Sequence, residues 1–330
     1  MNRSDLPDEL VRLILGADVS LTAAQVTEDG GLSLEEGQRL WRALGFPDRG
    51  EGVAYTRADT RAVRAVSAAL ESDLFSEETV FRMTRALGTT MSRLADWQVS
   101  TLVEQVEDDV AAGAATSRLD RAVELTEYAA PGFELLMLYA WRRHLAAAVS
   151  RMEALGSSDE ELLSTQLTVG FADLSRFTSL SNGLDDSALG HLVEDFESRC
   201  TDIVTARGGR IVKTLGDAVL FVADAPDAGT RIGLELVGQI ARRPDIPDVK
   251  VGLASGSVLN RLGDVFGPPV NLAARLTHVA RSNRVLVDER TAAHLDDDEF
   301  ETRTLPPRPL RGFGNVSPVT VSRRRGFRAR

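Results

Sequence analysis

The chain has almost no lysine or cysteine and few aromatic residues. Of its 38 basic residues only Lys213 and Lys250 are lysines, and Cys200 is the one cysteine. A single cysteine excludes an internal disulfide, which fits a reducing cytoplasm. The chain also lacks any apolar run close to the roughly 18 residues of a membrane span, and its first residues lack the apolar core of a secretory signal. We therefore expect a cytoplasmic protein without an integral membrane span.

Positive charge is also in short supply. The 49 acidic and 38 basic residues give a net charge of −11, and most of the excess acid lies in the first 150 residues. Such a surface is a poor match to a phosphate backbone, so we expect no nucleic-acid partner. The one basic block, 323–330, is interpreted as a solvated tail rather than a contact for lipid or nucleic acid.

The length of 330 residues fits two domains, and the sequence pattern changes between them. Residues 1–156 are predicted to form an all-helical domain, and 157–165 a linker. The predicted helices of this domain cover 33–45, 60–70, 76–110, 118–129 and, after Pro131-Gly132, 133–155. In 166–322 strands alternate with helices around a hairpin at 209–223. This pattern predicts an α+β domain with a mixed or antiparallel sheet covered on one face.

The hairpin places unusual side chains near its tip. Two β-rich runs, 210–214 and 218–222, flank the turn that holds Asp217. Lys213 precedes this turn, although all but one of the other basic residues are arginines. A lysine at this position indicates a task for an ammonium group that the planar guanidinium of arginine does not suit. Asp173 ends an earlier buried strand. Two carboxylates on adjacent strand ends are suited to hold a pair of hard divalent ions.

A second group of polar residues stands at a predicted helix start. Pro269 suits the first turn of a helix, and Asn271 and Arg275 follow four residues apart on one face. An amide and a guanidinium suit a ribose and a charged phosphorus, and we expect the helix end to add positive potential.

Three blocks, 171–178, 208–217 and 263–275, resemble in order and spacing the signature blocks of class III nucleotidyl cyclases. The resemblance extends over about 165–322. It implies a class III cyclase domain that converts ATP to 3′,5′-cyclic AMP and pyrophosphate. It also implies a homodimer with two active sites at the interface, each built from both subunits.

The resemblance assigns roles to single residues. Asp173 and Asp217, with help from the Leu174 carbonyl, would carry two Mg²⁺ or Mn²⁺ ions per site. Lys213 and Asp264 of the other subunit would bind the adenine ring, because adenine offers an acceptor at N1 and a 6-amino donor.

At the reacting end, Asn271 would orient the ribose and Arg275 would stabilise the charge on the α-phosphorus. Phe177, Thr178 and Arg311 are expected near the phosphates. The sequence departs from the family where Arg311 replaces a frequent Lys. A further departure is Arg176 at a position often held by Gly, where its side chain either adds a phosphate contact or points outward.

Three alternative functions have weaker support. Guanylyl cyclases tend to carry Glu and Cys where Lys213 and Asp264 stand, which favours ATP over GTP. The Gly-Gly-Asp/Glu-Glu-Phe turn of diguanylate cyclases is absent. Residues 21–46 resemble a helix-turn-helix of a DNA-binding regulator, yet Glu35 and Glu36 begin the helix that would meet DNA.

The first domain resembles the helical regulatory domains of some actinobacterial cyclases, through 87–97 and 141–148. This likeness implies an autoinhibitory module that responds to pH in some relatives. His144 is the candidate proton sensor, since Arg142 and Arg143 disfavour its protonated form; an ordinary surface or core histidine is the alternative. The apolar residues of the last predicted helix fit a core, or else line a lipid-binding pocket; they are Phe133, Leu135, Leu136, Met137 and Leu138.

Overall fold

The structure is a computed structural model that describes residues 6–154, 164–243, 245–261 and 263–324. It divides into two compact units, 1–149 and 150–330. The predicted linker 157–165 lies largely outside the described residues, as does the tail beyond residue 324. Among the described helices, none is both long and apolar enough to cross a membrane.

The first unit is mainly helical. Its elements are α1 (Leu6–Leu15), β1 (Leu21–Thr22), α2 (Ala23–Gly30), α3 (Leu34–Leu44), β2 (Val53–Tyr55), α4 (Arg57–Glu71), α5 (Glu77–Ala111) and α6 (Arg118–Ala154). Local signals set several boundaries as predicted. Ser33 and Glu36 form a reciprocal capping box at the start of α3, and Gly45 ends it with a left-handed φ of 85°.

Two details of the first unit differ from the prediction. A small antiparallel ladder, β1 with β2, interrupts the helices, so the unit is not purely helical. The predicted break at Pro131-Gly132 is also wrong, because α6 continues through Pro131. Pro131 and Glu127, four residues before it, are both exposed, so water can satisfy the Glu127 carbonyl, which loses its intrahelical donor.

The second unit is an α+β domain. Its elements are β3 (Ser164–Leu174), α7 (Phe177–Ser181), α8 (Asp186–Ala206), β4 (Arg210–Thr214), β5 (Ala218–Ala223), α9 (Pro226–Ile240), β6 (Val249–Arg261), β7 (Asp264–Phe266), α10 (Pro268–Val279), β8 (Arg284–Val287), α11 (Glu289–Ala292), β9 (Phe300–Thr304), β10 (Arg308–Leu310), β11 (Gly314–Val316) and β12 (Val319–Arg323). The predicted hairpin is β4 with β5.

The sheet of this unit is mixed, as predicted. Its strands run in the order β4-β5-β3-β6-β8-β12-β9, with β7 paired to β6. The pair β6–β8 is parallel and the other pairs are antiparallel. Strand β6 extends beyond the predicted end at 254 because its residues up to Leu259 pair with β3 and its last residues pair with β7. The short strands β7, β10 and β11 were not predicted.

Helices cover both faces of the sheet, which corrects the expectation of one covered face. Alternate residues of β3 enter two cores: Ala172 and Leu174 pack with residues of α8 and α9, whereas Leu167 and Val169 pack with Ala273 of α10. Helix α10 approaches β6 at Gly252, where an added Cβ would lie 2.3 Å from a backbone nitrogen of α10. This close contact fixes the position of α10 on the sheet.

Candidate active site

The two aspartates predicted to bind metal lie next to each other in the sheet. Asp173 is near the end of β3, directly across from Ala218 of β5. The hairpin turns through Gly216, which has a φ of 73°, and Asp217. The backbone N–H of Leu174 donates to the carbonyl of Asp217 at 2.9 Å. This bond ties the hairpin tip to the end of β3 and brings the two carboxylates together.

The electrostatics of this pair suit a cation. Burial raises the pKa of the Asp217 carboxyl above its ordinary value, and the negative charge of Asp173 raises it further. Within the described residues, no group of three or more His, Cys, Asp or Glu side chains could hold a metal. Two carboxylates alone fit Mg²⁺ or Mn²⁺, since such ions complete their shells with water and substrate phosphates.

Lys213 and Asp264 form a second polar group. The Lys213 ammonium donates to Asp264 Oδ2 at 2.5 Å, and both side chains are partly exposed. The backbone N–H of Val265 donates to the other carboxylate oxygen at 2.9 Å. A donor and an acceptor are thus held side by side, although the two residues are remote in sequence. Asp264 lies on β7, one of the strands that was not predicted.

Asn271 and Arg275 are both exposed on α10, opposite its buried residues. Neither side chain is hydrogen-bonded within the described part of the chain. The start of α10 contributes less positive potential than we expect from the sequence. Pro268 and Pro269 have no N–H, and the next two backbone N–H groups donate to the carbonyl of Gly267. With no free backbone donor there, Arg275 is the main positive charge of this group.

Comparison with known proteins identifies the family. The family model for the adenylate and guanylate cyclase catalytic domain matches residues 162–322. An adenylate cyclase of Streptomyces coelicolor is 38% identical over 95% of this chain and 89% of its own length. The chain belongs to the class III adenylate cyclases. It is also 32% identical to a pH-sensitive adenylate cyclase of Mycobacterium tuberculosis, over 94% of this chain and 81% of that protein.

Among solved structures, the adenylyl cyclase CyaB from P. aeruginosa is 22% identical to the cyclase. The superposition covers 50% of this chain and 98% of the CyaB chain, with a TM-score of 0.45.

The structure adds one residue to the site of the cyclase that sequence reasoning missed. Lys250 stands directly across from Asp173 in the β3–β6 ladder. Its ammonium lies 2.8 Å from Asp173 Oδ1, and both side chains are less than one-third exposed. The rarity of lysine was a usable signal, since Lys250 is the only other lysine in the chain. Its partner depends on strand register, which the sequence did not specify.

The segment after β3 explains one departure from the family pattern. Arg176 has a left-handed φ of 62°, a conformation that glycine adopts most readily. Its side chain is exposed, and its carbonyl accepts from the backbone N–H groups of Ser179 and Leu180. Phe177 packs partly against the main core, whereas Thr178 is exposed on the short helix α7. The proposed phosphate contacts of Phe177 and Thr178 stay predictions.

Two further predicted residues are on other elements. Arg311 is exposed in the turn between β10 and β11, and the preceding Leu310 packs into the cluster that holds Leu276 of α10. His144 is exposed on α6 in the first unit. The phosphate contact of Arg311 and the sensing role of His144 therefore remain predictions.

Proposed function

We propose that the cyclase converts ATP to cyclic AMP and pyrophosphate with two divalent ions, Mg²⁺ or Mn²⁺, held by Asp173 and Asp217. The observation that carries this proposal is the junction of β3 with the hairpin tip, which brings both carboxylates together. The backbone carbonyl of Leu174 would complete the protein ligands. When bound, such ions lower the pKa of a coordinated hydroxyl and neutralise phosphate oxygens.

Lys213 and Asp264 would select adenine. The ammonium would donate to N1 of the ring, and the carboxylate would accept from the 6-amino group. The existing bond between the two side chains supports this role, because it holds a donor next to an acceptor before the base arrives. Such preorganisation limits the entropy that binding must overcome.

Asn271 and Arg275 would act at the reacting end of the nucleotide. The ribose 3′-hydroxyl releases its proton to solvent and its oxygen forms a bond to the α-phosphorus, while the bond from that phosphorus to the bridging oxygen breaks and pyrophosphate leaves. Asn271 would fix the ribose so that the 3′-oxygen faces the phosphorus, which is a contribution of positioning. Arg275 would stabilise the negative charge that grows on the phosphoryl oxygens. Phe177, Thr178 and Arg311 would contact the other phosphates.

We further propose that two copies of the chain share each site, with Asp173 and Asp217 from one subunit and the base-binding pair from the other. The topology supports this division. Along β6, Asp173 pairs with Lys250 at one end, whereas Asp264 pairs with Arg261 at the other. Asp264 thus lies at the opposite end of β6 from the metal-binding group, which suits two different sites of a symmetric dimer.

We expect the protein to be cytoplasmic. Its first unit would regulate the activity of this dimer in response to pH or lipid. The likeness to a pH-sensitive relative supports a response to protons, with His144 as the sensor. A full-length His144→Ala variant should show a flatter dependence of activity on pH between 5.5 and 8. An unchanged profile would remove His144 from this role.

Exchange of the base-binding pair tests the proposed substrate. We expect Lys213→Glu combined with Asp264→Cys to lower turnover of ATP and raise that of GTP, measured by chromatography of the cyclic products. Arg242→Gln, at an exposed position in the turn after α9, is the control, because it lowers the net charge by one, as the double variant does. If the double variant keeps the preference of the wild type for ATP, these two residues do not bind the base.

A further inference from the structure

Arg176 stands in a backbone conformation that its side chain disfavours. Its φ of 62° and ψ of 24° lie in the left-handed region. Among the described residues other than glycine, Asp73 and Asn283 alone share a positive φ, and Asp and Asn adopt it more readily because their short polar side chains bond locally. An arginine lacks this compensation, whereas glycine fits without the steric cost. Non-glycine residues held in this region are concentrated at active sites and ligand-binding loops.

Hydrogen bonds on both sides hold the backbone of Arg176 in this conformation. Before it, the backbone N–H of Ser175 donates to the carbonyl of Asp248 at 2.7 Å. The hydroxyl of Ser282 donates to that of Ser175 at 2.9 Å. After it, the carbonyl of Arg176 accepts two backbone N–H groups of α7, both at 3.1 Å. The position of Arg176 is therefore fixed by its neighbours, and the first atoms of its side chain are fixed with it.

Arg176 also lies beside the proposed metal site. It follows Asp173 by three residues, a stretch that spans at most about 11 Å. Leu174, which lies between them, donates to the carbonyl of Asp217 at 2.9 Å, so the hairpin tip is near as well. A triphosphate that binds metal ions on these two aspartates would come within reach of the long Arg176 side chain.

The positive charge of Arg176 is not used inside the protein. Its side chain is exposed, and its guanidinium makes no hydrogen bond or ion pair with any residue that the structure describes. The nearby carboxylate of Asp173 pairs instead with Lys250, at 2.8 Å. A free guanidinium presents a planar set of donors that matches the oxygens of a phosphate group. These features suit contact with an anionic ligand better than a structural role.

The proposed reaction creates a need for such a charge. When the bond from the α-phosphorus to the bridging oxygen breaks, negative charge grows on the pyrophosphate that leaves. The role proposed for Arg275 is at the α-phosphorus, on the other side of this bond. A guanidinium near the β- and γ-phosphates would stabilise the leaving group as its charge develops.

We infer that Arg176 binds the β- and γ-phosphates of ATP and stabilises pyrophosphate as it leaves. The inference rests on the proposed function, since it needs a triphosphate bound at Asp173 and Asp217. Arg176 belongs to the same subunit as these two aspartates. The left-handed backbone then has a functional reason, because a residue that costs stability at this position supplies a contact that glycine lacks.

Replacement by glycine separates stability from binding, because glycine fits the backbone and removes the guanidinium. We expect Arg176→Gly to raise Tm by at least about 2 °C. The same variant should raise the dissociation constant of pyrophosphate at least about tenfold, measured by calorimetry with Mg²⁺ present. Arg176→Lys keeps the charge without the planar fork, so its affinity should lie between those of the wild type and Arg176→Gly. Arg303→Ala is the control, since Arg303 is exposed on the edge strand β9, and it should change the affinity less than about twofold.

Adenosine distinguishes a phosphate contact from general damage to the site. Its proposed contacts are with Lys213 and Asp264, so we expect its affinity for Arg176→Gly to stay within about twofold of the wild type. The inference is wrong if Arg176→Gly binds pyrophosphate like the wild type, or if it loses pyrophosphate and adenosine to the same extent. Weaker pyrophosphate binding together with a lower Tm would give Arg176 a structural role and would also overturn the inference.

The same experiments separate this inference from the proposed function. A wild type that makes cyclic AMP, with an Arg176→Gly variant that binds pyrophosphate equally well, removes the phosphate contact and leaves the function intact. A wild type that makes no cyclic AMP, yet binds pyrophosphate in a way that depends on Arg176, removes the function and leaves the contact.

Discussion

Lys250 occupies the position of a cation at the proposed metal site, and its removal should strengthen metal binding. Its ammonium is 2.8 Å from Asp173, and the two side chains are 19% and 30% exposed. A metal that binds Asp173 must break this charge-assisted bond before it can coordinate. In the Lys250→Met variant the Asp173 carboxylate has no ammonium partner that a metal must displace. The negative charge of the site is then no longer partly neutralised.

The size of the effect follows from the strength of the bond. A hydrogen bond between charged groups that are mostly shielded from water contributes about 1.5–3 kcal/mol. Release from this cost should tighten Mn²⁺ binding roughly ten- to hundredfold, since each 1.4 kcal/mol is about a factor of ten. The comparison must be made without nucleotide, because phosphate oxygens would add ligands of their own.

The assay is titration of nucleotide-free protein with Mn²⁺, followed by electron paramagnetic resonance of the free ion or by calorimetry. Arg242→Met is the control, since it removes one positive charge from an exposed position in the turn after α9. We expect it to change the affinity less than about twofold, because charges there are screened by solvent. Equal or weaker Mn²⁺ binding by Lys250→Met would refute the view that Lys250 competes for Asp173.

Four further predictions concern stability. Gly252→Ala should destabilise the protein by about 2 kcal/mol or more in chemical denaturation, because a Cβ there meets the backbone of α10. Gly190→Ala in α8, with nothing within 4 Å, should stabilise it by up to about 1 kcal/mol. In metal-free protein, Asp217→Asn should raise the free energy of unfolding at pH 7. The folded-state pKa of Asp217 lies above its ordinary value of about 3.8, because burial and the charge of Asp173 disfavour the carboxylate. The ionised form therefore costs folding free energy at higher pH, and the gain should vanish below about pH 3.8. Glu299→Ala should cost about 3 kcal/mol in chemical denaturation, because the buried Glu299 carboxylate accepts three bonds from Arg231.

Features with short-range signals were predictable from the sequence. The capping box of Ser33 and Glu36 and the glycine at position 45 are read within a few residues, and the structure has α3 within the predicted bounds. The hairpin was equally clear, because two β-rich runs flank a turn that contains Gly216. Since Asp217 belongs to that turn, its place at the end of a strand could be deduced without knowledge of the sheet.

Features set by long-range packing were not predictable. The pairing of Lys250 with Asp173 depends on the register of β3 against β6, which no local pattern encodes. The position of α10 on the second face depends on the close approach at Gly252, and a lone glycine in a strand does not reveal its neighbour. The continuity of α6 through Pro131 agrees with the exposure of Glu127 and Pro131, a property of the folded unit.

Complementation between two inactive variants tests the shared site most directly. Asp173→Ala should lack the metal-binding group and Lys213→Ala the base-binding group, so each homodimer should be nearly inactive. Co-expression with two different tags allows purification of the heterodimer, in which one of the two sites keeps all its residues. We predict that this heterodimer makes cyclic AMP from ATP at about half the wild-type rate. A heterodimer as inactive as its parents would contradict the shared site.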